Sequence, residues 1–348
     1  MARQVITSIL GLIVTVVLTT AVARAEDFKQ YLDLRPAIPS QLATDSLLTD
    51  VEPAGDKLIT VGERGHILVS GDQGQSWDQA QVPLQYLLTA VDFPTLELGW
   101  AVGHEGVILH TADGGATWSL QWANPHRQLS DEELSQLTDE QFMKLPQQGS
   151  PLLDVWFRDA RVGFAVGAYG MFLGTTDGGE SWTDIAGRIE NYDGWHLNAI
   201  EAGDNGVVYI AGEKGVLFRS DDHGETWTTL AGPYQGSYFG ALTGPGTDDV
   251  LLFGLQGNIF KSSDRGETWV KAKSKASDGL MDGVRLDSGG IILVGNSGVI
   301  LNSDDGGLNF SMRITPSREA ILAVTPLPDG KLLMVGQGGV QIDGARQR

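Results

Sequence analysis

The sequence predicts an all-β fold: a seven-bladed β-propeller of four-stranded blades, closed by an N-terminal strand, with a short helical insertion between blades two and three. Three observations predict it: one motif recurring seven times, 46 glycines against 13 prolines in 348 residues, and an apolar anchor ahead of each repeat. Many short elements joined by tight turns at a period near 41 residues are the mark of propeller blades.

The motif reads hydrophobic-Gly-x-x-Gly-x-hydrophobic-hydrophobic-x-Ser/Thr-x-Asp-x-Gly-x-Ser/Thr-Trp. It runs over Val61–Trp77, Val102–Trp118, Val166–Trp182, Ala211–Trp227, Phe253–Trp269 and Val294–Phe310, and a seventh copy from Val335 stops at Ile342. The leading glycines are 62, 103, 167, 212, 254, 295 and 336, so one interval of 64 residues among others of 41 to 45 marks an insertion. Eleven or twelve residues before each glycine stands an anchor: Val51, Val91, Val155, Ile200, Leu242, Val284 or Val324. Each unit therefore reads as an inner strand, a strand into the Gly-x-x-Gly turn, a strand out of it, and an outer strand at the Trp. Blade seven lacks its outer strand, and Phe28–Leu34 is expected to supply it and remove an open edge.

Asp72, Asp113, Asp177, Asp222, Asp264 and Asp305 have a structural role in this reading. Each can accept N–H bonds within its own turn, while the glycine two residues on allows positive φ. Calcium is the alternative, but one carboxylate per turn is too few for a hard-cation cage. The five box tryptophans are expected to pack between blades.

The chain ends carry the remaining organisation. Residues 1–25 read as a signal peptide, with Arg3, an apolar run over Val5–Val22 and Ala23-Arg24-Ala25 before the cleavage point, so a periplasmic protein of residues 26–348 is expected. An uncleaved anchor is the alternative. Removing Arg3 and Arg24 leaves 22 basic against 44 acidic residues, a formal charge of −22. That field disfavours nucleic acid and anionic membrane as partners. The absence of cysteine excludes disulfides, thiolate catalysis and Cys-metal sites.

Binding residues are expected on the face of the Gly-x-x-Gly turns and blade-to-blade loops, whose sequences vary. The candidates there are Tyr86, Trp122, Tyr169, Tyr192, Trp195, His196, Tyr234, Tyr238 and Phe239. Aromatics beside polar groups suit a protein hot spot or a sugar platform. The insertion, 124–150, carries capping boxes at Ser130–Glu133 and Thr138–Gln141, so short helical turns are expected, with Phe142 and Met143 as contacts. No cofactor or metal site is read from the six histidines, and no catalytic constellation emerges. A sialidase would need an arginine triad and a Phe/Tyr-Arg-Ile-Pro segment; Arg313-Ile314-Thr315-Pro316 does not fit.

The Asp boxes, together with Gly99-Trp100-Ala101-Val102-Gly103 and Gly163-Phe164-Ala165-Val166-Gly167, resemble the photosystem II stability and assembly factor family. The resemblance covers roughly residues 27–342 and implies a non-catalytic, seven-bladed docking scaffold for a membrane protein. Photosynthetic members use an arginine-rich face, of which this chain has no counterpart. Non-photosynthetic relatives imply an exported factor whose partner is an envelope membrane protein, an RND-type transporter among them. The rival class is a carbohydrate-binding or glycoside-hydrolase propeller; paired carboxylates across a groove would favour it.

Overall fold

The computed structural model describes residues 28, 32–124, 149–246 and 248–343. Among them, six antiparallel sheets of four strands and one of three surround a central axis, each sheet in sequence order from the axis outward. In blade one the strands are Leu48–Ala54, Lys57–Gly62, Ile67–Ser70 and Asp78–Gln79. The second strand is buried on both faces in every blade, which explains its continuous apolar runs, Gly-Trp-Ala-Val-Gly for example.

Seven seams between adjacent blades form the core. Trp118 closes the seam between blades one and two, and Trp77, Trp182, Trp227, Trp269 and Phe310 hold the same place in five others. Between blades two and three, Trp100 stacks on Phe157 with ring centroids 3.6 Å apart.

The Asp box builds each outer corner. The Ser70 hydroxyl donates to Asp72 at 2.9 Å and accepts the Gly74 N–H at 2.8 Å, while the Asp72 carboxylate accepts the Ser76 N–H at 2.8 Å and hydroxyl at 2.6 Å. The same bonds recur around Asp113, Asp177, Asp222 and Asp264, and around Asp305 with Asn309 donating from its side-chain amide. Both carboxylate oxygens thus serve the turn, as the structural reading expects.

The N-terminal segment takes a different place from the expected one. Phe28 and Leu32 are buried in the seam of blades one and two, beside Val82 and Leu84, rather than along blade seven. The Asp33 N–H donates to the Tyr86 hydroxyl at 2.8 Å, the Ala37 N–H to the Val82 carbonyl at 2.9 Å, and the Gln79 side chain holds both Ser40 and Ile38. Apolar burial decides this course, and Pro36 and Pro39 cannot donate to a ladder. The described part of blade seven has three strands, and it meets blade one through Ala43, Leu48, Leu58, Leu333, Val335 and their neighbours. The 3-10 turn Ala43–Asp45 lies on Gly339, where a side chain would meet the Thr44 carbonyl.

The predicted helical turns, with Phe142 and Met143, lie outside the described residues.

Leu32→Ala should lower unfolding free energy by about 2–5 kcal/mol, the usual cost of emptying a buried leucine site. Ile342→Ser, on the third strand of blade seven, should change it by less than about 0.5 kcal/mol. Urea denaturation followed by tryptophan fluorescence tests the pair; the reverse order would return the segment to blade seven.

Candidate functional site

Two regions gather functional groups: the turn face and the central channel. In six of the seven blades the Gly-x-x-Gly turn presents one non-glycine residue at positive φ, namely Arg64, Glu105, Tyr169, Lys214, Gln256 and Ser297, between φ 55° and 62°. A non-glycine residue in that region carries strain that the following glycine and the strand ladders hold in place. In blades three to five these turns meet the loop aromatics. Tyr169 packs edge-on against His196 with centroids 5.1 Å apart, and the Lys214 ammonium lies 5.7 Å from the Trp195 ring centre. Asn191 fixes Trp195 by accepting its N–H at 3.0 Å and donating to its carbonyl at 2.8 Å. Tyr192 is 74% exposed. It borders a 650 Å³ groove with Arg188, Ile189, Phe218, Trp227 and Thr229.

Other candidates are not surface groups. Tyr238 is 1% exposed; its hydroxyl donates to the Tyr234 carbonyl at 3.1 Å and accepts the Tyr234 N–H at 3.0 Å, so it is a core residue that shapes a loop. Trp122 lies on the outer strand Ser119–Trp122, half-buried against the seam of blades two and three, not in a loop. Tyr86 is half-buried and engaged with Asp33. Tyr234 and Phe239 remain half-exposed, and the Tyr234 hydroxyl donates to the Gln256 side chain at 3.4 Å.

The channel escapes the sequence reading. Each inner strand carries a bulge just after its first residue, at Thr49, Thr89, Leu153, Asn198, Phe239, Met281 and Leu322. A bulge re-aims the residues around it, and three of the bulged residues cross to the next blade. Thr49 donates to the Leu88 carbonyl at 2.7 Å, Thr89 to Leu152 at 2.8 Å, and Asn198 to Tyr238 at 2.8 Å. After the bulge come Asp50, Asp154 and Asp282, whose carboxylates accept the N–H of Val91, Ile200 and Val324 in the following blade, each at 2.8 Å. Two residues further on, Asp92 accepts the Phe157 N–H at 2.8 Å and Glu201 the Thr243 N–H at 3.1 Å. Five carboxylates thus tie neighbouring blades. Pairing with the second strand also moves two anchors: Gly240 opposes Phe253 and Asp282 opposes Val294, so Ala241 and Gly283 replace Leu242 and Val284.

The surroundings of these carboxylates raise their pKa. Burial raises Asp50 to about 6 against the pull of the Val91 and Val51 N–H groups, and raises Asp92 and Glu201 to about 7. Asp282 reaches about 8 through burial and repulsion from Asp50. Burial also lifts Asp154 and Glu52 well above the ordinary range. The box carboxylates move oppositely: the Ser76 hydroxyl, then its N–H, holds Asp72 near 2, and Thr268 does the same for Asp264. Desolvation and like charges at the axis against hydrogen bonding at the rim account for the split within one residue type.

Comparison with known proteins decides the family. The family model described as photosynthesis system II assembly factor YCF48 matches residues 34–126 and 133–339. The chain belongs to that family. A curated relative, the photosystem II assembly lipoprotein Ycf48 of Synechococcus sp. (strain CC9902), is 30% identical over 139 residues, which is 38% of this chain and 35% of the relative. The chain thus aligns with about a third of that relative's length. Among solved structures, YCF48 bound to D1 peptide superposes with a TM-score of 0.66 at 18% identity, covering 91% of this chain and 98% of the other. YCF48 from Cyanidioschyzon merolae gives 0.65 at 18% identity, covering 88% and 97%. At these identities the superpositions show a shared seven-bladed fold.

Channel and box carboxylates oppose each other in pH. The raised groups hold protons in the folded state, so the stability they contribute is complete below about pH 4 and is lost as pH rises through 6 to 8. The lowered groups contribute above about pH 4 and lose that contribution toward pH 2. The thermal midpoint should peak between about pH 4 and 6. Glu52→Gln should raise it at about pH 8 and leave it unchanged near pH 4; calorimetry across that range measures both.

Proposed function

We propose that the protein is an exported, non-catalytic docking scaffold that receives a segment of an envelope membrane protein on its turn face and so assists that protein's assembly or operation. The observation that carries this reading is the aromatic and cationic cluster of blades three and four, where Tyr169 packs on His196 and Lys214 on Trp195, with the exposed Tyr192 in the same loop as Trp195. Aromatic rings with a basic neighbour are the usual anchors of a protein interface. Turns locked by strand ladders lose little freedom on binding.

Family membership supports an assembly role, and one solved structure of similar fold is YCF48 bound to D1 peptide. The partner here belongs to another class in our reading, an envelope transporter of the RND type, because the chain is strongly acidic and lacks an arginine-rich face. Export rests on the apolar run Val5–Val22, which lies outside the described residues. Among the described residues no helix is long and apolar enough to cross a membrane.

The cluster favours a protein segment over a glycan. Lys214 already covers a face of Trp195 on which a sugar ring would stack. A charged lysine over an indole instead leaves the ring edge and the neighbouring tyrosines for apolar side chains.

The test is an affinity capture from gently solubilised envelopes, using the protein and a Tyr192→Ala, Trp195→Ala, Lys214→Ala variant. Tyr238 is left intact because its removal would empty the core. Capture of one membrane protein by the wild type, reduced at least about tenfold in the variant, is expected. Equal capture by both would move the docking surface elsewhere, and capture of nothing would remove the scaffold reading.

A further inference from the structure

We infer that the groove at the outer seam of blades three and four is a docking site for one amphipathic helical turn of the partner protein, a segment that sets an aromatic and an aliphatic side chain four residues apart. The groove, 650 Å³ in volume, is lined by Ile189, Phe218 and Trp227, with Arg188, Tyr192 and Thr229 beside them. Other seams of the same ring show what such a place receives.

Counted from the leading glycine of each blade, Ile189, Phe218, Trp227 and Thr229 correspond to Leu84, Leu109, Trp118 and Leu120 at the seam of blades one and two. There the place is filled. Phe28 and Leu32 are buried in that cluster, and the Leu32 N–H donates to the Phe28 carbonyl at 3.0 Å, the bond of a single helical turn. At the seam of blades four and five the blades cover it with their own side chains: Tyr234 stacks on Phe260 with centroids 6.1 Å apart, and the Lys271 ammonium lies 5.8 Å from the same ring. Between blades three and four neither filling is present among the described residues. Ile189 is the counterpart of Tyr234 there, and Thr229 the counterpart of Lys271. Gly187 stands where Val82 does at the filled seam, and the first carbon of a side chain at Gly187 would meet no atom within 4 Å.

The filled seam supplies the chemistry of the occupant. An apolar floor gains from side chains that leave water, and residues four apart on one helical turn lie on one face and reach it together. Arg188 is exposed beside the groove, where it favours an acid next to the apolar pair, as Asp27 precedes Phe28 in this sequence. Tyr192 also belongs to the 191–195 loop that Asn191 fixes at Trp195, so the groove continues from the turn-face cluster. The inference rests on the docking role proposed above for the identity of the partner, and on the groove alone for the chemistry of the segment.

The probe is a fluorescein-labelled peptide of residues 26–36 of this chain, which carries Phe28 and Leu32. Fluorescence anisotropy should show saturable binding to the protein. Gly187→Trp, which fills the groove, should weaken it at least about tenfold, whereas Gly71→Trp, at an outer corner of blade one where a side chain also meets open space, should change it by less than about twofold. Thr229→Leu, which copies Leu120, should tighten binding about threefold, and it decides the matter should Gly187→Trp fail to fold. Absence of saturable binding, equal loss in both tryptophan variants, or affinity unmoved by both Gly187→Trp and Thr229→Leu would overturn the inference. A concentration-dependent dimer in light scattering that Gly187→Trp abolishes would also overturn it, by assigning the groove to a second copy. Peptide binding lost in Gly187→Trp upholds the groove even where envelope capture fails, and capture without peptide binding removes this inference while leaving the docking role.

Discussion

Hydrogen bonds that cross from one inner strand to the next hold the disc together. Seven strands converging on an axis crowd their backbones, and the apolar seams alone have no preferred register along that axis. The crossing bonds supply one: Asp50 to Val91, Asp92 to Phe157, Asp154 to Ile200, Glu201 to Thr243 and Asp282 to Val324. Each uses a side chain to reach an N–H of the adjacent blade. The strand bulge brings these groups to the seam, so a local backbone irregularity repeated in each blade places the carboxylates that tie five of the seven seams.

The same residue type serves two opposite purposes. At the outer corners, aspartate stands in water and gathers short bonds from a neighbouring Ser or Thr, which stabilises its charge. At the axis, aspartate stands with other acids, and burial raises its pKa, to about 8 at Asp282. The protein is thus acidic on both its rim and its axis, with carboxylate pKa values lowered at the rim and raised at the axis.

A rigid disc with one variable residue per turn suits recognition. The glycines on either side of Tyr169 or Lys214 lie in close backbone contact, and the residue between them is free to differ from blade to blade. Chemistry on the turn face can therefore change without altering the ring. The likeness to the solved YCF48 structures at 18% identity lies in this shared architecture.

The blade count, the four-strand order and the turn-building role of the Asp boxes were all legible in the sequence. Each depends on contacts within about forty residues, and the motif repeats those contacts in register. Tyr169, Tyr192, Trp195 and His196 were likewise legible as turn-face groups, since strand order alone assigns a turn to one face. The path of Phe28–Leu34 was not, because an apolar segment ahead of the first blade can satisfy either seam beside it, and only packing chose Val82 and Leu84. Tyr238 looked like a loop aromatic because a residue that starts an inner strand has the same sequence surroundings as one that ends a loop. The channel was hidden because Asp50, Asp92, Asp154, Glu201 and Asp282 are scattered over more than two hundred residues and meet only when the ring closes. Local repetition determined the blades; closure of the ring decided which carboxylates tie one blade to the next.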